Sequence, residues 1–139
     1  MRFWDTSGLV PLLLEQETSQ VVRDLFEADT EAVAWWGTPV EIASAAARLR
    51  REGVLTVAGE DRVLELLRAL RGGWIEVAPS EEVREQAQRL LRVHALRGAD
   101  ALQLAAALVW AGPSNGATLV TFDERLALAA RLEGFTVVP

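Results

Sequence analysis

Met1-Arg2-Phe3-Trp4-Asp5-Thr6-Ser7-Gly8 opens the chain with an apolar run that stops at an aspartate. Leu9 to Leu14 follow with helix-like spacing. This reads as a buried first strand over residues 1–5, whose carboxyl end delivers Asp5 to the mouth of a parallel sheet. In open α/β sheets, ligands sit in the crevice beyond the carboxyl ends of the strands. Outward from that strand, short apolar runs at 31–36, 74–77, 118–122 and 135–138 read as further strands. Helical patterns separate them. Ser7 suits the cap of a helix reaching Leu14, with Pro11 in its first turn. Others span roughly 18–28, 38–52, 57–70, 80–96, 98–111 and 124–132. Asp29-Thr30 breaks the second helix, and Gly112-Pro113-Ser114-Asn115-Gly116 reads as a turn. Regular alternation of strand and helix predicts a parallel sheet covered on both faces.

The 139 residues suit a single domain over 1–139, and half are hydrophobic, enough for a substantial core. No window approaches eighteen consecutive apolar residues, and the start of the chain lacks the pattern of a signal peptide. Cysteine is absent, which excludes disulfides, zinc–thiolate sites and thiol nucleophiles, and is compatible with a cytoplasmic protein. The net charge of −6 argues against gripping nucleic acid by bulk electrostatics. It leaves room for a nuclease that uses bound cations and local arginines. All 14 basic residues are arginine, so mechanisms that need a lysine amine are excluded.

Four carboxylates carry the candidate chemistry: Asp5, Glu41, Asp100 and Asp123. Each has a plain structural reading. Asp5 and Asp123 end strands and suit helix caps. Thr38-Pro39-Val40-Glu41 matches a capping box, with Thr38 as N-cap, Pro39 first in the helix and Glu41 reaching back. Asp100 complements the dipole of an Ala/Leu-rich helix. Yet that helix is apolar nearly all round, and a carboxylate entering it must be paired or metal-bound. In a doubly wound sheet all four face one crevice. Crowded carboxylates either protonate or bind a cation. Oxygen-only donors favour a hard ion, Mg2+ or Mn2+. Ser7, Thr121 and Arg97 are candidates for positioning substrate or water, as is Thr6 beside Asp5. His94, the one histidine, reads as a helix-end residue. Trp35 and Trp36 fall at the end of the second strand, as core or as a stacking surface.

Phe3-Trp4-Asp5-Thr6-Ser7, Thr38-Pro39-x-Glu41, Arg97-Gly98-Ala99-Asp100-Ala101 and Val120-Thr121-Phe122-Asp123-Glu124-Arg125-Leu126 together resemble the PIN-domain ribonucleases. More narrowly, the chain is similar to VapC toxins of toxin–antitoxin pairs. The resemblance spans the whole chain. It implies a three-layer α/β/α sandwich around a five-stranded parallel sheet. It also implies magnesium-dependent endoribonuclease activity, with Asp5, Glu41, Asp100 and Asp123 as catalytic and metal-binding acids. A homodimer and a cognate antitoxin protein complete the expectation. The competing reading is a catalytically inactive PIN-like module that only binds RNA or protein. An aspartyl-phosphate enzyme is disfavoured by the missing lysine. A Rossmann enzyme is disfavoured because no Gly-x-Gly-x-x-Gly follows a strand.

Overall fold

The computed structural model describes residues 1–29, 31–113 and 116–139. Thr30, Ser114 and Asn115, which belong to the two predicted breaks, lie outside the described residues. The elements run β1 (Arg2–Trp4), α1 (Thr6–Leu13), α2 (Ser19–Glu27), β2 (Ala32–Trp35), α3 (Thr38–Arg51) and α4 (Val57–Arg71). There follow β3 (Ile75–Val77), α5 (Glu81–Val93), α6 (Gly98–Ala111), β4 (Thr118–Val120), α7 (Glu124–Leu132) and β5 (Thr136–Val138).

All pairings are parallel, in the order β3-β2-β1-β4-β5. The chain therefore winds outward from β1 to β3, returns to the other side of β1 and winds outward again through β4 and β5. The reversal lies between β1 and β4. At such a switch point the connections leave in opposite directions and open a crevice. Asp5 follows β1 and Asp123 follows β4, so topology alone brings those two acids to it.

The pleat sorts the core into two layers. Phe3, Val33 and Leu119 face one side, with Leu90 of α5, Leu104 of α6 and Leu126 of α7. Trp4, Ala34 and Val120 face the other, with Leu9 of α1, Ile42 of α3 and Val63 of α4. Adjacent residues go to opposite layers because strand side chains alternate with period two. The sandwich expected from the resemblance is therefore present. As its composition predicts, α6 is buried: Ala101, Leu104, Ala105, Ala106 and Ala107 are fully inaccessible. Among the described residues, no helix is long and apolar enough to cross a membrane.

Several boundaries differ from expectation. Asp5 caps α1, as its plain structural reading predicts, and Ser7 does not, so Pro11 falls in the helix interior rather than in the first turn. Proline removes an N–H donor there, and α1 stops two residues later. β4 ends at Val120 instead of Phe122 because the backbone donors turn to side chains. The Phe122 N–H donates to Ser7 Oγ at 2.9 Å, and the Asp123 N–H donates to Thr121 Oγ1 at 3.0 Å. α5 ends at Val93, short of the predicted Leu96, with His94 already extended at φ −130°, ψ 149°. His94 Nε2 lies 2.7 Å from Glu133 Oε1, so its helix-end reading holds and it anchors the end of α5 to the end of α7.

Gly8 fixes how closely α1 approaches β4. A Cβ on Gly8 would sit 2.9 Å from the Val120 carbonyl oxygen, which is backbone and cannot swing aside. Gly8→Ala is therefore expected to destabilise the fold by about 1–3 kcal/mol. Urea unfolding checks this. A midpoint equal to wild type would mean that α1 and β4 can separate at no cost.

Candidate active site

Asp5 is 4 % exposed and accepts at Oδ1 from Ser7 Oγ at 2.8 Å and from the Gly8 N–H at 3.0 Å. Its serine partner starts a chain of hydroxyls. Thr121 Oγ1 lies 3.1 Å from Ser7 Oγ, and its hydroxyl also lowers the Asp5 carboxyl by hydrogen bonding to it. Thr121 Oγ1 in turn accepts from the Asp123 N–H. Two hydroxyls thus connect the Asp5 carboxylate to the backbone at Asp123. Burial pushes the Asp5 carboxyl up to about 7, against the opposing pull of hydrogen bonds led by Ser7 and Gly8.

Glu41 departs from its capping-box reading. The N-cap of α3 is Gly37, with no side-chain cap bond, and Thr38 begins the helix instead of preceding it. Displaced from that role, Glu41 accepts from Thr6 Oγ1 at 2.6 Å through Oε2 and from Gln103 Nε2 at 3.2 Å through Oε1. Its carboxyl is raised, by burial first and also by the negative charge of Asp100. Asp100 is raised too, by burial and by Asp123, with Arg97 and Arg125 pulling the other way. Among the described residues it holds only a long 3.4 Å bond from the Arg97 N–H, which leaves most of its hydrogen-bonding capacity open there. Asp123 caps α7 through the Leu126 N–H at 2.8 Å, as its plain structural reading predicts.

Glu41, Asp100 and Asp123 line one open cleft of about 990 Å³ together with Thr6, Arg97 and Arg125. Arg48, two turns beyond Glu41 on α3, lines it as well. Asp5 is not part of the lining, and neither are its hydroxyl partners Ser7 and Thr121. Trp35 is buried and Trp36 is half exposed, and neither lines the cleft. Among the described residues, no three acidic or histidine side chains are gathered closely enough to ligate one ion as they stand. The donor chemistry nevertheless fits a hard cation. Every candidate atom is oxygen, and three of the four carboxyls are raised by burial, with Asp100 further raising Glu41 and Asp123 further raising Asp100.

Gln103 escaped the sequence reading. It is 1 % exposed and donates to Thr6 Oγ1, Thr38 Oγ1 and Glu41. The available signal was a single amide inside Ala101-Leu102-Gln103-Leu104-Ala105, since a polar group in an apolar helix must find partners. Arg48 and Arg125 were missed for another reason. Their link to the acids lies in spacing, seven residues after Glu41 and two after Asp123, which is also the spacing of ordinary surface charge.

Residues 2–132 match the PIN domain family. With a PIN-like sheet order and an acid-lined cleft at its switch point, the chain belongs to that family. Two curated relatives from Mycobacterium tuberculosis, Ribonuclease VapC45 and Ribonuclease VapC49, are each 31% identical over 140 residues, covering 99% of this chain and 94% of theirs. Within the family the chain is accordingly of VapC type. A solved toxin–antitoxin complex from Klebsiella pneumoniae contains a chain with the same fold, at TM-score 0.71 and 18% identity, covering 100% of this chain and 97% of that one. PIN-domain ribonucleases depend in general on a metal.

Proposed function

We propose that this chain is an Mg2+- or Mn2+-dependent endoribonuclease that hydrolyses RNA phosphodiester bonds as the toxin of a toxin–antitoxin pair. The observation that carries the reading is that Glu41, Asp100 and Asp123 line one cleft, with the carboxyls of Glu41 and Asp100 raised by burial and by a neighbouring negative charge. Crowded, desolvated acids of that kind call for a cation. Asp5, Glu41, Asp100 and Asp123 would hold it. When bound, the ion would polarise the scissile phosphate and lower the pKa of a water. The residues around it do the rest. Ser7 and Thr121 hold Asp5 in one rotamer by the hydroxyl chain. Thr6 fixes Glu41. Arg97, at the rim beside Asp100, orients a phosphate oxygen.

Residues 1–139 would form a single PIN-like domain. It acts in the cytoplasm, pairs with a second copy of itself and is held inactive by a cognate antitoxin; the likeness to a chain of the Klebsiella pneumoniae toxin–antitoxin complex supports the antitoxin partner. Purified protein freed of any partner should cut a single-stranded RNA with Mg2+ or Mn2+ and stop when EDTA is added. Asp100→Asn should lower the rate by about 10²–10³-fold, the range for losing one preorganised electrostatic group. RNA binding without cleavage under any divalent ion would overturn the enzyme reading and favour a binding module.

A further inference from the structure

Gln103 sits at the one place where α1, α3 and α6 meet behind the cleft. Its amide nitrogen lies 3.0 Å from Thr6 Oγ1, 3.0 Å from Thr38 Oγ1 and 3.2 Å from Glu41 Oε1. The amide has two protons for these three acceptors, so one bond is shared. Its oxygen, Oε1, is buried and has no hydrogen-bond partner among the described residues. Turning the amide over would leave the nitrogen without an acceptor on that side and set Oε1 against the Glu41 carboxylate. The charge of Glu41 therefore fixes the orientation of the amide, at the cost of an unsatisfied buried carbonyl. A residue selected only to fill the junction would be apolar, since an apolar side chain leaves nothing unsatisfied.

We infer that Gln103 is a positioning residue. It clamps the Glu41 carboxylate, jointly with Thr6, in the orientation from which Glu41 receives a divalent cation. The two partners divide the carboxylate between them. Thr6 holds Oε2 and Gln103 holds Oε1, so the plane of the group is set as well as its position. Thr38, which is fully buried, holds the amide from the far side and ties the clamp to the start of α3. Without Gln103, Glu41 keeps a single hydrogen bond and can rotate about it. Outer partners of metal ligands act in this way, through the orientation and basicity of the ligand.

The inference rests on the reading of Glu41 as a ligand, and the experiment separates the two. Mn2+ is titrated into the full chain, and free Mn2+ is followed by its paramagnetic resonance signal. Four proteins are compared: wild type, Gln103→Met, Glu41→Gln and the double variant. Methionine matches glutamine in length and has no donor. Gln103→Met is expected to weaken Mn2+ binding about tenfold or more. In the Glu41→Gln background the same change should alter affinity less than about twofold, because the group it acts through is already lost. If Glu41→Gln leaves affinity unchanged, the ligand reading fails and this inference falls with it. If Glu41→Gln weakens binding but Gln103→Met does not, the ligand reading stands and the inference is overturned. Independent, multiplying losses in the double variant also overturn it. Should Gln103→Met lack a cooperative melt, Gln103→Asn takes its place. That variant keeps the amide but is one methylene too short to reach Glu41, and the same loss is expected.

Discussion

At pH 8, Asp5→Asn is expected to melt about 5 °C or more above wild type in the absence of metal, while RNA cleavage falls by several orders of magnitude. Asparagine can replace aspartate structurally. It is an equally good N-cap, and its oxygen can accept from Ser7 and the Gly8 N–H as Asp5 Oδ1 does. What it removes is a buried negative charge. The Asp5 carboxyl lies at about 7 in the folded protein against an ordinary 3.8, so between those values the folded state binds more protons than the unfolded one. Stability then falls as pH rises through that window and stays low above it. The gap corresponds to a few kcal/mol, on the order of 4, at full effect. A few kcal/mol moves the midpoint of a domain this size by several degrees. Near pH 4 the carboxyl is largely protonated in the folded protein, so the two melts should converge. Manganese should reverse the ranking at pH 8 by stabilising only the wild type. An asparagine variant less stable than wild type at pH 8 would show that the charge is already compensated inside the protein. Cleavage retained in that variant would remove Asp5 from the chemistry.

The same energetics explain what could be read from the sequence. Asp5 and Asp123 were legible as a pair because each ends an apolar run, and parallel strands place such residues at one edge of the sheet. The sheet itself was legible because Phe3, Trp4, Val33, Ala34, Leu119 and Val120 are apolar on both faces, the mark of a strand covered twice. Glu41 was placed at the right end of the right helix, but its partners were not. Thr38-x-x-Glu41 satisfies the capping-box pattern, and nothing local distinguishes a glutamate that turns back from one that turns outward. The decision was made by Gln103, which is 62 residues away and whose Nε2 lies 3.2 Å from Glu41 Oε1. Strand ends were overread for a similar reason. Ser7 takes the Phe122 N–H out of the ladder from across the sheet, and no local pattern carries that information.

A second large effect is expected at the arginines of the cleft. Among the described residues, Arg48, Arg97 and Arg125 have no carboxylate within ion-pairing distance, although they line a cleft with Glu41, Asp100 and Asp123. Arg23, Arg50, Arg62, Arg71, Arg84 and Arg89 are all paired elsewhere. In a chain of net charge −6, open guanidinium groups beside acids are well placed for an incoming phosphate. RNA binding should be measured on the Asp5→Asn protein, so that substrate survives, across a range of salt concentrations. Each phosphate contact on a single strand contributes about 0.7 to the slope of log affinity against log salt. Replacing Arg48, Arg97 and Arg125 together by alanine should therefore flatten the slope by about 2 and weaken binding about 10²-fold or more at low salt. The control is the triple replacement of Arg51, Arg68 and Arg92, which are exposed, lie off the cleft and carry the same total charge. Long-range attraction alone would make the two triples equal, since it depends on total charge and is screened within about 8–10 Å at ordinary salt. A slope lost only in the cleft triple assigns those three residues to the phosphate backbone. Equal losses would mean that the cleft arginines merely offset the acids beside them.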